Sequence, residues 1–500
     1  MLDKFYKQFK SGTDIRGVAS EGVEGQPVNL TDDVVARMAD GFVLWLSKKV
    51  SKDPETLTIS IGRDSRISGP HIVSICSERF KRCGATVLDC SLASTPSMFM
   101  TTVDLGCDGA LQITASHHPF NRNGLKFFTR EGGLEGSDIE EILEYAQNGE
   151  SPAENSCGEI KKVDYMTDYA KGLCKKIKEE VNAEDYDHPL KGFKIVVDAG
   201  NGAGGFYADK VLSVLGADTT GSRYLEPDGM FPNHIPNPED ATAMASICEA
   251  VKEANADLGV IFDTDVDRGG AVDNKGNEIN RNRLVAVAAA IALEGNEGGT
   301  VVTDSITSSG LKEFIENTLG GQHYRYRRGY KNVIDKALEL NAQGINCPLA
   351  IETSGHAAMK ENYFLDDGAY LCTKIIIKAA QLRKEGKELD ELTAELKEPV
   401  ESKEVRFKIL EPDFRACGEK IINDLTAYAM AQNGWNVAND NRGGIRVSFD
   451  KDNGDGWFLL RLSVHDPIMP LNIESDSVGG VDIIYNKLNE FLKTTSGLEL

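Results

Sequence analysis

Three carboxylates stand at alternate positions in Asp263-Thr-Asp265-Val-Asp267-Arg268, directly after the apolar run Leu258–Phe262. Carboxylates spaced this way at a strand end can converge on one hard cation. Mg²⁺ suits them, because it takes oxygen ligands in octahedral geometry and completes its shell with water and phosphate. Arg268 adds a fork donor for a phosphate held by such an ion. An EF-hand is excluded: Arg268 fills the sixth position, where Gly is required, and Asn274 the twelfth, where Glu is expected. A solvated acidic turn is the bland alternative.

A second constellation is Thr114-Ala-Ser116-His117-His118-Pro-Phe-Asn-Arg-Asn-Gly-Leu-Lys126. A Ser after a strand, flanked by histidines, is a candidate nucleophile or phosphate carrier. Asn121, Asn123 and Gly124 favour a tight turn that exposes the Ser and returns Lys126 toward it. Lys126 is then a candidate proton acceptor or point charge for phosphate. A polar surface turn with incidental histidines would read the same. In Glu352-Thr-Ser354-Gly355-His356, a carboxylate and a hydroxyl two residues apart can grip adjacent sugar hydroxyls, and Gly355 admits close backbone approach. A helix N-cap turn is the plain alternative. Arg461-Leu-Ser463-Val-His465-Asp-Pro467, with Arg442 and Arg446 upstream, offers guanidinium and hydroxyl donors for phosphate, or is an ordinary strand end. Arg16 and the Gly62-Arg63-Asp-Ser-Arg66 segment place arginines beside turns, and Tyr326–Lys331 is a dense basic run. Asp198–Gly205 is Gly-rich but lacks dinucleotide spacing, so it reads as a structural turn.

Elements of one kind must hold these loops. Short β-branched runs at Leu57–Ile61, Ala110–Thr114, Ile195–Val197, Leu258–Phe262, Thr300–Thr303 and Leu349–Ile351 each end in a Gly, Ser or Asp cluster. Such runs suit strands covered on both faces, and helix-period segments lie between several of them. The alternation predicts α/β domains with largely parallel sheets, whose ligands bind beyond the strand carboxyl ends. The Ala-rich stretch Leu284–Leu293 reads as a buried helix. Polar residues 147–161 predict a linker, and a second boundary falls near Lys397–Val405. The last hundred residues predict a smaller α+β unit with strands Ile445–Phe449 and Trp457–Ser463 and a helix after Gly480.

The 500 residues carry a formal net charge of −23. That surplus argues against nucleic acid or an anionic membrane as partner. It also requires that any site for an anion be a local concentration of Lys and Arg. The ten cysteines show no zinc spacing and predict reduced, mostly buried thiols. No membrane span or secretory signal is evident, so a cytoplasmic location is expected.

Together the motifs resemble the α-D-phosphohexomutase family. T-A-S-H-H-P is similar to its phosphoserine loop, D-T-D-V-D-R to its metal loop, E-T-S-G-H to its sugar loop and R-L-S-V-H-D-P to its phosphate loop, in family order along nearly the whole chain. Pro227–Pro232 and Pro236-Asn-Pro238 resemble its second domain. The resemblance implies three similar α/β domains with mainly parallel mixed sheets, at 1–160, 161–280 and 281–398, plus a smaller C-terminal α+β domain at 399–500, with the active site in the central cleft. It implies that Ser116 is phosphorylated and that Ser116, Asp263, Asp265 and Asp267 hold Mg²⁺. Lys126 would be the general base, with Arg16, His117 and Arg268 beside the transferring group. Glu352, Ser354, His356, Gly329 and Lys331 would recognise the sugar, and Arg461, Ser463 and His465 the idle phosphate. His118 replaces a usual Asn, His465 a common Thr, and Arg327 and Arg328 stand where small or apolar residues are frequent.

The implied reaction interconverts hexose 1-phosphate and hexose 6-phosphate, of glucose or mannose, through a hexose 1,6-bisphosphate. Phosphoglucosamine mutase is an alternative sugar assignment. A metal-dependent sugar phosphatase of haloacid-dehalogenase type, with Asp263 as nucleophile, and a non-catalytic sugar-phosphate sensor are the rival classes.

Overall fold

A computed structural model describes residues 1–155, 157–463 and 466–499. It divides into two compact units. One comprises Met1–Asn280, Ser354–Ala357 and Leu365–Leu389, and the other Arg281–Thr353, Ala358–Phe364 and Asp390–Leu500.

The first unit holds two sheets. The larger has spatial order Lys10–Ser11, Asp14–Val18, Arg122–Thr129, Gly109–Ile113, Thr58–Arg63, Thr86–Leu92, Glu159–Lys162, with Gly132–Gly133 paired to Arg122–Thr129. The strands Glu159–Lys162, Thr86–Leu92, Thr58–Arg63 and Gly109–Ile113 run parallel, and Arg122–Thr129 turns back antiparallel on Gly109–Ile113. That reversal puts Lys126 opposite Gln112, just beyond the Ser116 turn. The second sheet is Glu278–Ile279, Gly269–Asp273, Leu258–Phe262, Ile195–Asp198, of which the last two are parallel. All five residues of Leu258–Phe262 are buried, as a continuous apolar run requires when both faces are covered. Asp240 caps the helix Ala241–Ala254 by accepting from Thr242 and Ala243 N–H groups. The helix Gly368–Lys384 belongs to this unit: its Lys374 pairs with Glu180 of the helix Tyr165–Val181 at 2.7 Å. Phe42, Phe80 and Phe127 lie at the centre of the first core, Phe42 and Phe127 with ring centroids 4.6 Å apart. Each such fully buried ring stabilises the fold by about 1.5–3 kcal/mol relative to exposure.

The second unit has a sheet ordered Gln322–Arg325, Thr300–Thr303, Leu349–Ile351, Ala357–Met359, whose first three strands are parallel. Its other sheet is antiparallel, ordered Asn436–Val437, Ile445–Phe449, Gly456–Leu460, Ile468–Ser475, Glu401–Ile409, Leu498–Glu499, and packs against helices Phe414–Met430 and Gly480–Leu492. The architecture is the expected one: three α/β domains and a C-terminal α+β domain. The helix Arg281–Leu293 is buried from Leu284 through Ile291 and at Leu293, as its Ala-rich sequence predicts.

Two local expectations are corrected. The stretch read as a linker over 147–161 runs into the strand Glu159–Lys162 of the first sheet. The strand expected over Trp457–Ser463 spans Gly456–Leu460, so Arg461 and Ser463 stand just past its end.

Candidate active site

The turn after Leu258–Phe262 is closed on itself. Asp263 Oδ1 accepts from the Arg268 backbone N–H at 3.3 Å and Asp263 Oδ2 from Arg268 Nε at 3.0 Å. Val266 sits at φ 67°, a left-handed conformation rare for a β-branched residue. The three carboxylates are buried, and each offers an oxygen within 4.8 Å of the others. Asp267 Oδ2 accepts from Lys126 Nζ at 2.7 Å, and Asp265 Oδ2 from the Thr95 hydroxyl. Asp265 Oδ1 and Asp267 Oδ1 have no hydrogen-bond partner among the described residues. Buried, unsatisfied carboxylate oxygens facing one another fit a hard divalent cation. Burial and then repulsion from Asp267 push Asp265 up to about 6. Asp267 is held well below the carboxylate range: burial opposes this, but Lys126, His356 and Arg268 together outweigh it.

Ser116 caps the turn between Gly109–Ile113 and Arg122–Thr129. It is 7% exposed and lies at φ 50°. For a non-glycine residue that conformation costs about 1–2 kcal/mol. Its Oγ stands 3.3 Å from Asp263 Oδ2, 3.2 Å from Arg268 Nη2 and 3.3 Å from His117 Nδ1. Arg268 Nη2 also donates to His117 Nδ1 at 2.9 Å. Burial, then Arg268 and Arg16, press the His117 pKa down to about 2, so the ring is neutral and Nδ1 is an acceptor. His118 is likewise pressed to about 2, by burial and then Arg16. Arg16 pairs with Asp14 at 3.0 Å on the strand opposite Gly124. Ser354 and His356 belong to the same unit. Ser354 Oγ lies 2.9 Å from His356 Nδ1, and His356 Nε2 lies 3.7 Å from Asp267 Oδ1. Gly355 is obligatory here: at φ 94° it abuts Gly269, whose carbonyl oxygen would lie 2.6 Å from an added Cβ. The first unit therefore gathers Ser116, His117, Lys126, Arg268, His356 and the three carboxylates, with the Arg16 charge in electrostatic reach.

The second unit gathers a different set. Glu352 Oε1 accepts the Gly329 N–H at 2.6 Å, where the helix Tyr330–Ala342 begins. Lys331 is turned to Asp335 on that helix. Asp304, fully buried, accepts from Thr353 Oγ1 at 3.0 Å and lies 3.9 Å from Arg328 Nε. Arg461 Nε is buried with no hydrogen-bond partner among the described residues. Burial, then Arg328, lower the Arg461 pKa to about 10, against the pull of Asp304, Glu404 and Glu352. Ser463 Oγ accepts from the Asp466 N–H at 3.3 Å. His465 lies outside the described residues.

Arg446 is not a free donor for ligand. It is 3% exposed, donates to Ser305 and Thr307 carbonyls and stacks 3.5 Å over Trp457. Arg442 donates to its own loop, at the Asn439 and Asn441 carbonyls. Sequence reasoning missed Thr95 behind Asp265, Asn237, which accepts from Arg268 Nη1 at 2.9 Å, and Asp304. Asn237 carried a signal in its Pro-Asn-Pro setting; Thr95 carried none.

Three family profiles match the chain in succession: phosphoglucomutase/phosphomannomutase α/β/α domain I at residues 7–153, domain II at 169–276 and domain III at 280–400. A phosphoglucomutase of Neisseria meningitidis is 27% identical over 97% of this chain and 96% of its own. A phosphomannomutase/phosphoglucomutase of Pseudomonas aeruginosa is 28% identical over 84% of each chain. The crystal structure of a phosphoglucomutase/phosphomannomutase family protein from Burkholderia thailandensis superposes over the full length of both chains, with a TM-score of 0.79 at 25% identity. With the three domains in order and the serine turn beside a triple-carboxylate loop, this chain belongs to the α-D-phosphohexomutase family of enzymes.

Proposed function

We propose that the protein interconverts hexose 1-phosphate and hexose 6-phosphate, of glucose, mannose or both, with Ser116 as phosphoryl carrier and a hexose 1,6-bisphosphate as intermediate. The observation that carries this reading is the Ser116 Oγ, held 3.3 Å from Asp263 and 3.2 Å from Arg268 beside two unsatisfied carboxylate oxygens.

In the forward half, the bond from Ser116 Oγ to phosphorus breaks as a bond from a free sugar hydroxyl to phosphorus forms. The hydroxyl proton passes to Lys126 in its neutral amine form, and the departing Ser116 Oγ takes up one proton, so that the half-reaction ends with a free serine hydroxyl. Mg²⁺, held by Asp263, Asp265, Asp267 and a phosphoserine oxygen, would neutralise phosphoryl charge and weaken the hold of Asp267 on the Lys126 ammonium. Arg268 is pinned on three sides by Asp263, His117 and Asn237, so its fork faces the transferring group without reorganising. Neutral His117 accepts from Arg268 and keeps that fork beside Ser116. The return half reverses these steps with the other phosphate of the bisphosphate. Arg461 and Ser463 bind the phosphate that is not reacting, and Glu352 accepts from sugar hydroxyls. A phosphatase with Asp263 as nucleophile is the weaker reading, because Asp263 Oδ2 already accepts from Arg268 and Ser116.

The test is intact-protein mass with peptide mapping on wild type and Ser116→Ala, beside coupled assays on glucose 1-phosphate and mannose 1-phosphate with Mg²⁺. One phosphate on Ser116 and loss of isomerisation in the variant are expected. A wild type that takes no phosphate from glucose 1,6-bisphosphate, with a variant that stays active and releases inorganic phosphate, defeats the proposal.

A further inference from the structure

Two sequence features have no place in this mechanism: the Arg66 turn and the Pro227–Pro232 segment. They meet in the structure. The Arg66 side chain is fully buried. Its Nη1 donates to the carbonyls of Pro119 at 2.7 Å and Arg122 at 2.9 Å. Its Nη2 donates to the carbonyls of His118, at 2.6 Å, and Ser116. Four carbonyls of one short turn thus converge on one guanidinium. Its Nε is paired with Asp64 at 3.2 Å. Asp64 Oδ2 in turn accepts from the Thr114 hydroxyl at 2.8 Å, and Thr114 Oγ1 accepts the Ser116 N–H at 2.9 Å. Asp64 therefore fixes the entry to the turn, and Arg66 fixes Ser116 and the exit.

The Pro227–Pro232 segment closes over the other face of Arg66. The Phe231 ring lies 5.2 Å from Arg66 Cζ. Asp228 shapes that segment, accepting from Met230 N–H at 2.9 Å through Oδ1 and from Phe231 N–H at 3.0 Å through its carbonyl. Gly229 packs so tightly on the Arg66 turn that a Cβ there would lie 2.5 Å from Ile67 N and 2.6 Å from Ser65 O.

We propose that Arg66 is a positioning residue that moulds the Ser116 turn, holds it in its left-handed conformation with Oγ toward Asp263 and Arg268, and is itself locked by Phe231. This inference rests on the reading of Ser116 as phosphoryl carrier. Only a planar fork can serve two carbonyls from each terminal nitrogen, so lysine does not replace it. Arg66 touches neither Oγ nor the carboxylate triad. Its loss should therefore slow transfer while leaving the hexose phosphate's grip intact.

The experiment compares wild type, Arg66→Lys and Phe231→Leu in three measurements. These are kcat and KM on glucose 1-phosphate, phosphate uptake at Ser116 from glucose 1,6-bisphosphate, and amide hydrogen exchange of the metal-free proteins. In Arg66→Lys, kcat should fall about 100-fold with KM within about threefold, as a displaced reacting atom predicts. Exchange across 114–124 should rise about tenfold while the helix Tyr165–Val181 keeps its protection. Phe231→Leu should move the same peptides and kcat in the same direction, by about fivefold. Unchanged exchange across 114–124 in either folded variant overturns the proposal, as does a KM that rises with unchanged kcat. If Arg66→Lys does not fold, Phe231→Leu decides on the same criteria. A wild type that takes up no phosphate defeats the carrier reading alone, because the exchange comparison still judges the mould.

Discussion

The two units differ in the unsatisfied polar atoms that lie among their candidate site residues. In the first, the buried atoms without partners around the serine turn include two carboxylate oxygens, Asp265 Oδ1 and Asp267 Oδ1. In the second, they include the guanidinium nitrogen Arg461 Nε along with the carboxylate oxygens Asp304 Oδ1 and Glu474 Oε2. Unmatched acceptors call for a cation, and unmatched donors for an anion. The three carboxylates of the first unit could hold a metal ion, and under the proposed function Arg461 of the second would meet a phosphate. Burial raises the Asp304 pKa, against the pull of Arg328.

The largest effect should come from the acceptor side. Asp267→Asn removes one metal-facing oxygen's charge and the partner of Lys126, so kcat should drop about 10³-fold. Mg²⁺ titration by calorimetry must weaken in the same variant. Undiminished Mg²⁺ binding would break the comparison. The donor side should respond in KM and with the opposite sign in stability. Arg461→Met removes a charge-assisted contact with phosphate, so KM for a hexose phosphate should rise about 10–100-fold. It also removes a half-buried cation that makes no ion pair within 4.0 Å among the described residues, so the variant should be about 0.5–2 kcal/mol more stable in urea. A less stable Arg461→Met with unchanged KM would show that the guanidinium is structural.

The loops that differ in this way were largely legible in the chain, and the reasons are physical. Leu258–Phe262, Thr300–Thr303, Leu349–Ile351 and Ile445–Phe449 are strands with the very bounds read from sequence, because continuous apolar runs stop at turn residues. The three carboxylates were legible because their convergence is local. The groups that position them were not. Lys126 reaches Asp267 across 141 residues, and Thr95 reaches Asp265 across 170. No local pattern encodes such pairs. The strand Glu159–Lys162 escaped because it is an edge strand of sequence Glu-Ile-Lys-Lys with one half-buried residue, which reads as linker. Arg446 was read as a phosphate donor because sequence cannot tell an arginine facing solvent from one stacked on Trp457.

A smaller effect tests how firmly the first unit orders its cation. His234 Nε2 lies 3.0 Å from Asp198 Oδ1 and Nδ1 lies 3.0 Å from the Ile235 carbonyl, so both ring nitrogens face acceptors, which favours the imidazolium. Desolvation lowers its pKa, but the Asp198 bond and charge, with the Ile235 carbonyl, outweigh that and raise it. A raised pKa in the folded state stabilises fully below the unfolded value of about 6.5 and is lost as pH climbs through the folded value. His234 anchors the segment that carries Asn237, an acceptor for Arg268. The stability difference between wild type and His234→Gln, followed by urea denaturation, should therefore shrink from pH 6 to pH 9. A constant difference would mean that no proton is bound on folding.

The smallest effect concerns backbone strain at one turn in each unit. In the second, the residue that bonds Glu352 at an unusual angle is already a glycine, Gly329 at φ 121°. In the first, Ser116 at φ 50° carries a side chain, whose hydroxyl lies beside Asp263 and Arg268. Alanine at 116 keeps the strain and loses the Oγ contacts, whereas glycine loses the same contacts and relaxes the backbone. Ser116→Gly should therefore be about 1 kcal/mol more stable than Ser116→Ala, with both inactive. Gly329→Ala should go the other way by a similar amount, since its Cβ would stand 2.8 Å from Asn332 Nδ2 at a φ that L-residues avoid. Thermal melts of the three variants decide the matter. Equal stability of the two Ser116 variants would mean that the turn relaxes without glycine, and the work assigned to the Arg66 mould would shrink accordingly.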